Sequence, residues 1–194
     1  MKSMAVRFGA ALLIAAPAWL LGQAPSNAAA PAPSSAVAKA DFAGGCFWCM
    51  ETAFVGVPGV ATVTSGYTGG TKKNPTYEEV SSGGTGHAES VEVAYDPTRI
   101  TYGRLLEIFW HNVDPLSANG QFCDRGNQYR SAIFFHSPEQ AKEAQASKEA
   151  LDKAHRYSKP IATQIVPAVT FYPAEDYHQQ YLEKRGLASC HINT

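Results

Sequence analysis

The order in which the hydrophobic period changes along residues 39–136 constrains the fold of this chain more than any other feature. Residues 39–42 make a short strand candidate that runs into Gly44-Gly45. Residues 46–55 follow as a short helix, stopped by Pro58-Gly59. Residues 60–67 are β-rich and end near Gly69-Gly70. Val91, Val93 and Tyr95 alternate with polar residues, the period of a strand, and Asp96-Pro97 ends it. Leu105, Leu106, Ile108 and Phe109 then form one apolar face of a helix over 102–113. Residues 131–136 return to strand. Strand-helix-strand-strand-helix-strand is the split βαβ, or ferredoxin-like, order. It predicts an α+β domain: a mixed sheet with flanking helices around a ferredoxin-like βαββαβ core.

Three further segments complete the expected domain. Ser137-Pro138-Glu139 supplies an N-cap and a proline at the first helical position, opening a helix to about His155. Residues 161–171 are extended and interrupted by Pro167, and residues 176–185 form a last short helix closed by Gly186. Residues 71–89 and 114–130 read as long loops, the first with one helical turn at 77–80. Loops of that length inside one domain are usually functional.

The start of the 194-residue chain has a different character. Lys2 and Arg7 precede an apolar run over 10–21, and Ser26-Asn27-Ala28 offers small residues for cleavage. This is the pattern of a secretory signal peptide, residues 1–28, with an apolar run too short to span a bilayer. Residues 29–40 read as an Ala/Pro/Ser-rich flexible linker, and 41–194 as one folded domain. The expected location is therefore exported, in the periplasm, with no membrane attachment of the mature form. The net charge of −1 and the absence of a basic stripe argue against nucleic acid and anionic lipid as partners. Nothing in the sequence requires more than a monomer.

Chemistry concentrates at Gly44-Gly45-Cys46-Phe47-Trp48-Cys49. A thiol at a helix N-terminus meets the positive end of the dipole, which favours thiolate. Phe47 and Trp48 would supply an apolar wall beside it. Four cysteines in an exported chain allow two disulfides, but a domain of this size needs no staples, so redox chemistry is the first reading.

Three loop segments join the cysteine motif: Gly66-Tyr67-Thr68-Gly69-Gly70 with Asn74-Pro75-Thr76-Tyr77-Glu78-Glu79; Thr85-Gly86-His87-Ala88-Glu89; and Asp124-Arg125-Gly126-Asn127-Gln128-Tyr129-Arg130-Ser131. In these motifs, their order and their spacing, the chain resembles class A peptide methionine sulfoxide reductase from about Phe42 to Tyr181. The resemblance implies thiol-dependent reduction of the S epimer of methionine sulfoxide, free or in proteins, as a repair of oxidised proteins. The R epimer should be left untouched, because oxygen and methyl exchange places on the chiral sulfur.

The implied roles follow the chemistry of the substrate. Cys46 attacks the sulfoxide sulfur, and Phe47 and Trp48 enclose the methyl group. Glu89 donates a proton to the oxygen, its neutral form favoured beside apolar walls. Tyr77 and Tyr129 donate hydrogen bonds to that oxygen, and Asp124 orders the site. Cys46 becomes a sulfenic acid, a second thiol condenses with it, and an external thioredoxin-like dithiol restores the enzyme with no bound cofactor. Arg130 and His87 are assigned to loop structure, and Tyr67 to packing.

The resolving thiol is open among three cysteines. The tail from Gly186 to Thr194 holds one cysteine and lacks the glycine-rich run of many family members. Cys49 ranks slightly above Cys190, with Cys123 last, and a static Cys123–Cys190 disulfide also stays open. Two rivals have specific predictions. An exported thioredoxin-like oxidoreductase would use Cys46-x-x-Cys49 with Val166-Pro167-Ala168, and would show no sulfoxide preference. A zinc-stabilised binding module would need a second close ligand pair, which the sequence does not offer.

Overall fold

Alternation along the strands and N-cap chemistry account for most of the elements. The computed structural model describes residues 37–155 and 157–187. Residues 1–28, read from the sequence as a signal peptide, most of the segment read as a linker, and Cys190 lie outside the described residues. Strand β1 (Ala38–Gly44) leads into helix α1 (Phe47–Phe54), then β2 (Val60–Thr68). Helix α2 (Tyr77–Ser81), β3 (Ala88–Tyr95) and α3 (Tyr102–His111) follow. A hairpin of β4 (Gly120–Gln121) and β5 (Asp124–Arg125) precedes β6 (Ser131–Phe135) and α4 (Pro138–Lys153). The chain closes through β7 (Gln164–Pro167), β8 (Tyr172–Pro173) and α5 (Tyr181–Lys184).

The main sheet runs β7-β6-β1-β3-β2-β8. Its centre, β6-β1-β3-β2, is antiparallel throughout and has the ferredoxin-like order, while β7 adds parallel to β6 and makes the sheet mixed. The period of two sorts the residues by face. Phe42, Val91 and Val93 meet the helices, where Phe42 stacks on Phe54 at 5.2 Å and on Phe109 at 5.3 Å. Such pairs add about 0.5–1.5 kcal/mol each beyond area burial, so Phe42→Ala should cost about 3–5 kcal/mol. A smaller cluster of Ala43, Ala88, Ala132 and Phe134 lies on the opposite face, with Val166 and Ala168 against it.

Local chemistry sets the helix ends. The hydroxyls of Thr101 and Ser137 accept the N–H of Arg104 and Gln140 at the starts of α3 and α4, and Pro138 opens α4. Gly59, at φ +98°, permits the turn after α1, where an added Cβ would lie 2.7 Å from Ile100.

Four sequence expectations are corrected. Strand β3 begins at Ala88, so Glu89 is in the sheet and not in a loop, because β2 pairs with it through Tyr67↔Glu89. The 114–130 segment contains the β4–β5 hairpin and a 3-10 turn at Asn127–Tyr129. Only Gln164–Pro167 of the 161–171 segment is strand beside β6. The last helix splits into a 3-10 turn, Asp176–His178, and α5, because Gln180 takes φ +53° between them. Among the described residues no helix is long and apolar enough to cross a membrane.

Candidate active site

Cys46 occupies the N-cap of α1, directly after the turn at Gly44-Gly45. Both glycines are required by contact: an added Cβ on Gly44 would lie 2.6 Å from Met50 Sδ, and one on Gly45 would lie 2.7 Å from Gln121 Cβ. Gly45 also has φ +88°. The second contact lets the β4–β5 hairpin, which carries Asp124, close against the cysteine turn. Gln121 is fully buried and holds the base of that loop, accepting the Asp114 N–H at 2.7 Å and donating to the Asp114 carbonyl at 2.9 Å.

A pocket of about 160 Å³ is lined by Cys46, Phe47, Trp48, Tyr77, Glu89, Asp124 and Tyr129. Each arrives on a different device. Glu89 shares the inward parity of Val91 and Val93 on β3, which aims it beneath the start of α1. It is 2% exposed and accepts the Phe47 N–H at 3.0 Å, one of the orphan donors of the helix N-terminus. Tyr77 opens α2 through a Thr76/Glu79 capping box. Tyr129 ends the 3-10 turn, which the buried Arg130 pins by donating to the Asn127 carbonyl at 2.9 Å and the Gly86 carbonyl at 3.1 Å.

Burial dominates the electrostatics. The Glu89 carboxyl is pushed up to about 7, by desolvation first and by the nearby Asp124 last, against the Phe47 N–H. The Cys46 thiol is pushed up to about 12, by desolvation and then by the Glu89 charge, while the N–H groups of Trp48 and Cys49 act in the opposite direction. The sequence expectation of a thiolate favoured by the helix is thereby corrected: the helix N–H groups do lower the thiol, but burial outweighs them. Desolvation also raises Tyr77 and Tyr129, which keeps both phenols as hydrogen-bond donors at neutral pH.

The aromatic wall is held from the C-terminal segment. The Trp48 indole N–H donates to His178 Nδ1 at 3.1 Å, and the Trp48 ring stacks on Tyr181 at 3.7 Å. The Arg185 guanidinium lies 3.8 Å over the other side of Tyr181. Sequence reasoning missed His178, Tyr181, Gln121 and Glu175. The Asp176-Tyr177-His178 stretch signalled only a helix start, and nothing local tied it to Trp48, 130 residues away. His87 does serve the loop: Nδ1 accepts the Gly70 N–H at 3.1 Å and Nε2 meets the Lys72 carbonyl at 2.7 Å.

Cys46 and Cys123 carry free thiols, whereas Cys49 is disulfide-bonded. Cys123 is exposed at the hairpin turn and forms no disulfide in this structure, so the static Cys123–Cys190 bridge left open by the sequence is not formed here. Among the described residues no group of three or more His, Cys, Asp or Glu could hold a metal.

A family model described as peptide methionine sulfoxide reductase matches residues 38–194. A peptide methionine sulfoxide reductase MsrA of Geobacter sulfurreducens is 55% identical over 152 residues, 78% of this chain and 94% of the relative. Among solved structures, Mxr1 from Saccharomyces cerevisiae in reduced form is 34% identical with TM-score 0.75, covering 84% of this chain and 94% of that one. Mxr1 in complex with Trx2 is 26% identical with TM-score 0.55, covering 84% and 92%.

Proposed function

The chain belongs to the peptide methionine sulfoxide reductase family, and is on that ground a thiol-dependent methionine sulfoxide reductase; from this premise we propose how its own residues perform the reaction. The observation that carries the reading is one small pocket joining a thiol to a buried carboxyl held near neutrality. Phe47 and Trp48 take the methyl group of an S-sulfoxide. Tyr77, Tyr129 and the protonated Glu89 face its oxygen. Asp124 orders the polar side of the pocket.

Cys46 sulfur attacks the substrate sulfur, and Glu89 passes its proton to the sulfoxide oxygen. The oxygen is transferred to Cys46, methionine leaves with two electrons gained, and Cys46 is left as a sulfenic acid, oxidised by two. A second thiol then displaces water to form a disulfide, which an external dithiol reduces. Cys49, Cys190 and Cys123 are the candidates for that thiol. Cys49 can serve only after its present disulfide is reduced.

The complex of the related Mxr1 with Trx2 supports a thioredoxin-type protein as the electron source. With residues 1–28 read as a signal peptide, the donor is an exported carrier of that type, and the role is repair of oxidised proteins by a periplasmic monomer. No bound cofactor enters the scheme.

The test is single turnover of the separate S and R epimers of a blocked methionine sulfoxide by protein that has been fully reduced and then freed of reductant. Methionine from the S epimer alone, lost in Cys46→Ser, is the expected result. Mass-spectrometric mapping of the new disulfide names the resolving cysteine. Dithiol exchange on disulfide peptides without any methionine would instead favour the thioredoxin-like alternative.

A further inference from the structure

Helix α2 has five residues and lies in a segment rich in glycine, yet it must present the Tyr77 side chain to the pocket. Its capping box satisfies the backbone N–H groups of Thr76 and Glu79. The N–H of Tyr77 itself, a first-turn donor without a helical partner, is left over. A carboxylate 98 residues away takes it: Glu175 Oε1 accepts the Tyr77 N–H at 3.0 Å. The other oxygen, Oε2, accepts the Tyr67 hydroxyl at 2.9 Å.

Tyr67 is a fully buried anchor. Its side chain lies on β2, beside Glu89 in the sheet register and 5.8 Å from the Phe47 ring. Glu175 also begins the turn that carries His178, whose N–H donates to the Glu175 carbonyl at 2.9 Å. One side chain therefore ties the start of α2 to the rigid sheet and to the turn that supports Trp48. We infer that Glu175 is a positioning residue: it fixes the Tyr77 hydroxyl against the sulfoxide oxygen by bridging Tyr67 and the Tyr77 backbone. The inference rests on the role proposed above for Tyr77.

An interaction that sharpens as charge grows on the oxygen raises the maximal rate more than it tightens substrate binding. In single turnover on the S epimer, Glu175→Ala should lower the saturating rate about 10- to 100-fold. The half-saturating concentration should move by less than about twofold. Glu175→Gln keeps one acceptor oxygen and should stay within about threefold of the parent rate. In a Tyr77→Phe background, Glu175→Ala should add no further loss.

Two results would overturn the inference: a parent-like rate for Glu175→Ala, or losses from Glu175→Ala and Tyr77→Phe that multiply. If Glu175→Ala does not fold, Tyr67→Phe replaces it, since that change removes only the anchor bond. Its smaller loss must likewise vanish in the Tyr77→Phe background, and an equal loss in both backgrounds overturns the inference. Absence of methionine from the parent protein would be a separate failure, that of the reductase scheme itself, and would remove the basis of the inference.

Discussion

Two buried carboxyls sit on adjacent strands of one sheet and face opposite sides. Asp41, on β1, is 1% exposed and lies 3.1 Å from His136 Nε2. Glu89, on β3, is 2% exposed and accepts the Phe47 N–H, with no cationic partner among the described residues. Desolvation raises both. The difference lies in the partner. Asp41 faces an imidazole with which it can share a proton, through Oδ2 alone. None of the described residues lining the Glu89 pocket is cationic, so its proton is available to a substrate oxygen. Burial makes an acid weak; what it faces decides whether that weakness is structural or reactive.

The largest effect that sharpens this contrast is expected from Glu89→Gln. Its first-turnover rate should fall about 10²- to 10⁴-fold, the range for losing a general acid. Stability should move the other way. The folded form holds the Glu89 proton more tightly than the unfolded chain, so stability is lost as pH rises from about 4.5 to about 7. Removing that group should raise stability at pH 8 by up to about 3 kcal/mol, read by denaturant unfolding. Parent-like turnover in Glu89→Gln would break the contrast.

Asp41→Asn should move both readings less. It leaves His136 without its carboxylate but also removes a charge that burial disfavours, so stability at pH 8 should change by less than in Glu89→Gln in the same unfolding measurement. The first-turnover rate should change by less than about twofold, because the pair lies on the opposite face of the sheet from the pocket. A rate loss as large as that of Glu89→Gln would mean that the two faces are coupled.

The pH profile is a finer probe. The Cys46–Glu89 pair holds two protons below about pH 7 and one above it. Thiolate with protonated carboxyl is one arrangement of the one-proton state. The rate at low substrate should therefore rise about tenfold per pH unit below 7 and then level off. A rate that falls as pH passes 7 would mean that the intact thiol attacks.

The smallest effect belongs to His136, which Asp41 raises above its ordinary value. Its contribution to stability is present below about pH 6.5 and is lost as pH rises through the raised value. His136→Gln should flatten that part of the stability curve by less than about 1 kcal/mol, since the ring is partly exposed.

Much of the fold was legible because local patterns and packing agree. The alternation of Val91, Val93 and Tyr95 marked β3, and Ser137-Pro138 marked the start of α4. The same alternation, extended back two residues, places Glu89 on the inward face; Gly83-Gly84 and the polar residues around them hid it. The 120–125 hairpin was illegible for a different reason. Its strands are two residues long, and a buried amide, Gln121, holds the loop beneath it without any periodic signal.

The sequence by itself determined which residue types meet: a thiol at a helix start after two glycines, two aromatic rings, two phenols and two carboxyls in ordered motifs. These are local facts, written in turn chemistry, N-caps and strand parity. Only the tertiary structure decided where the protons sit. The helix favours a thiolate, but the walls that bury Cys46 also bury Glu89, and the Glu89 charge opposes the thiolate. It also decided what holds the site together. Glu175 and His178 reach Tyr77 and Trp48 across about a hundred residues of chain, a distance over which no local pattern carries information.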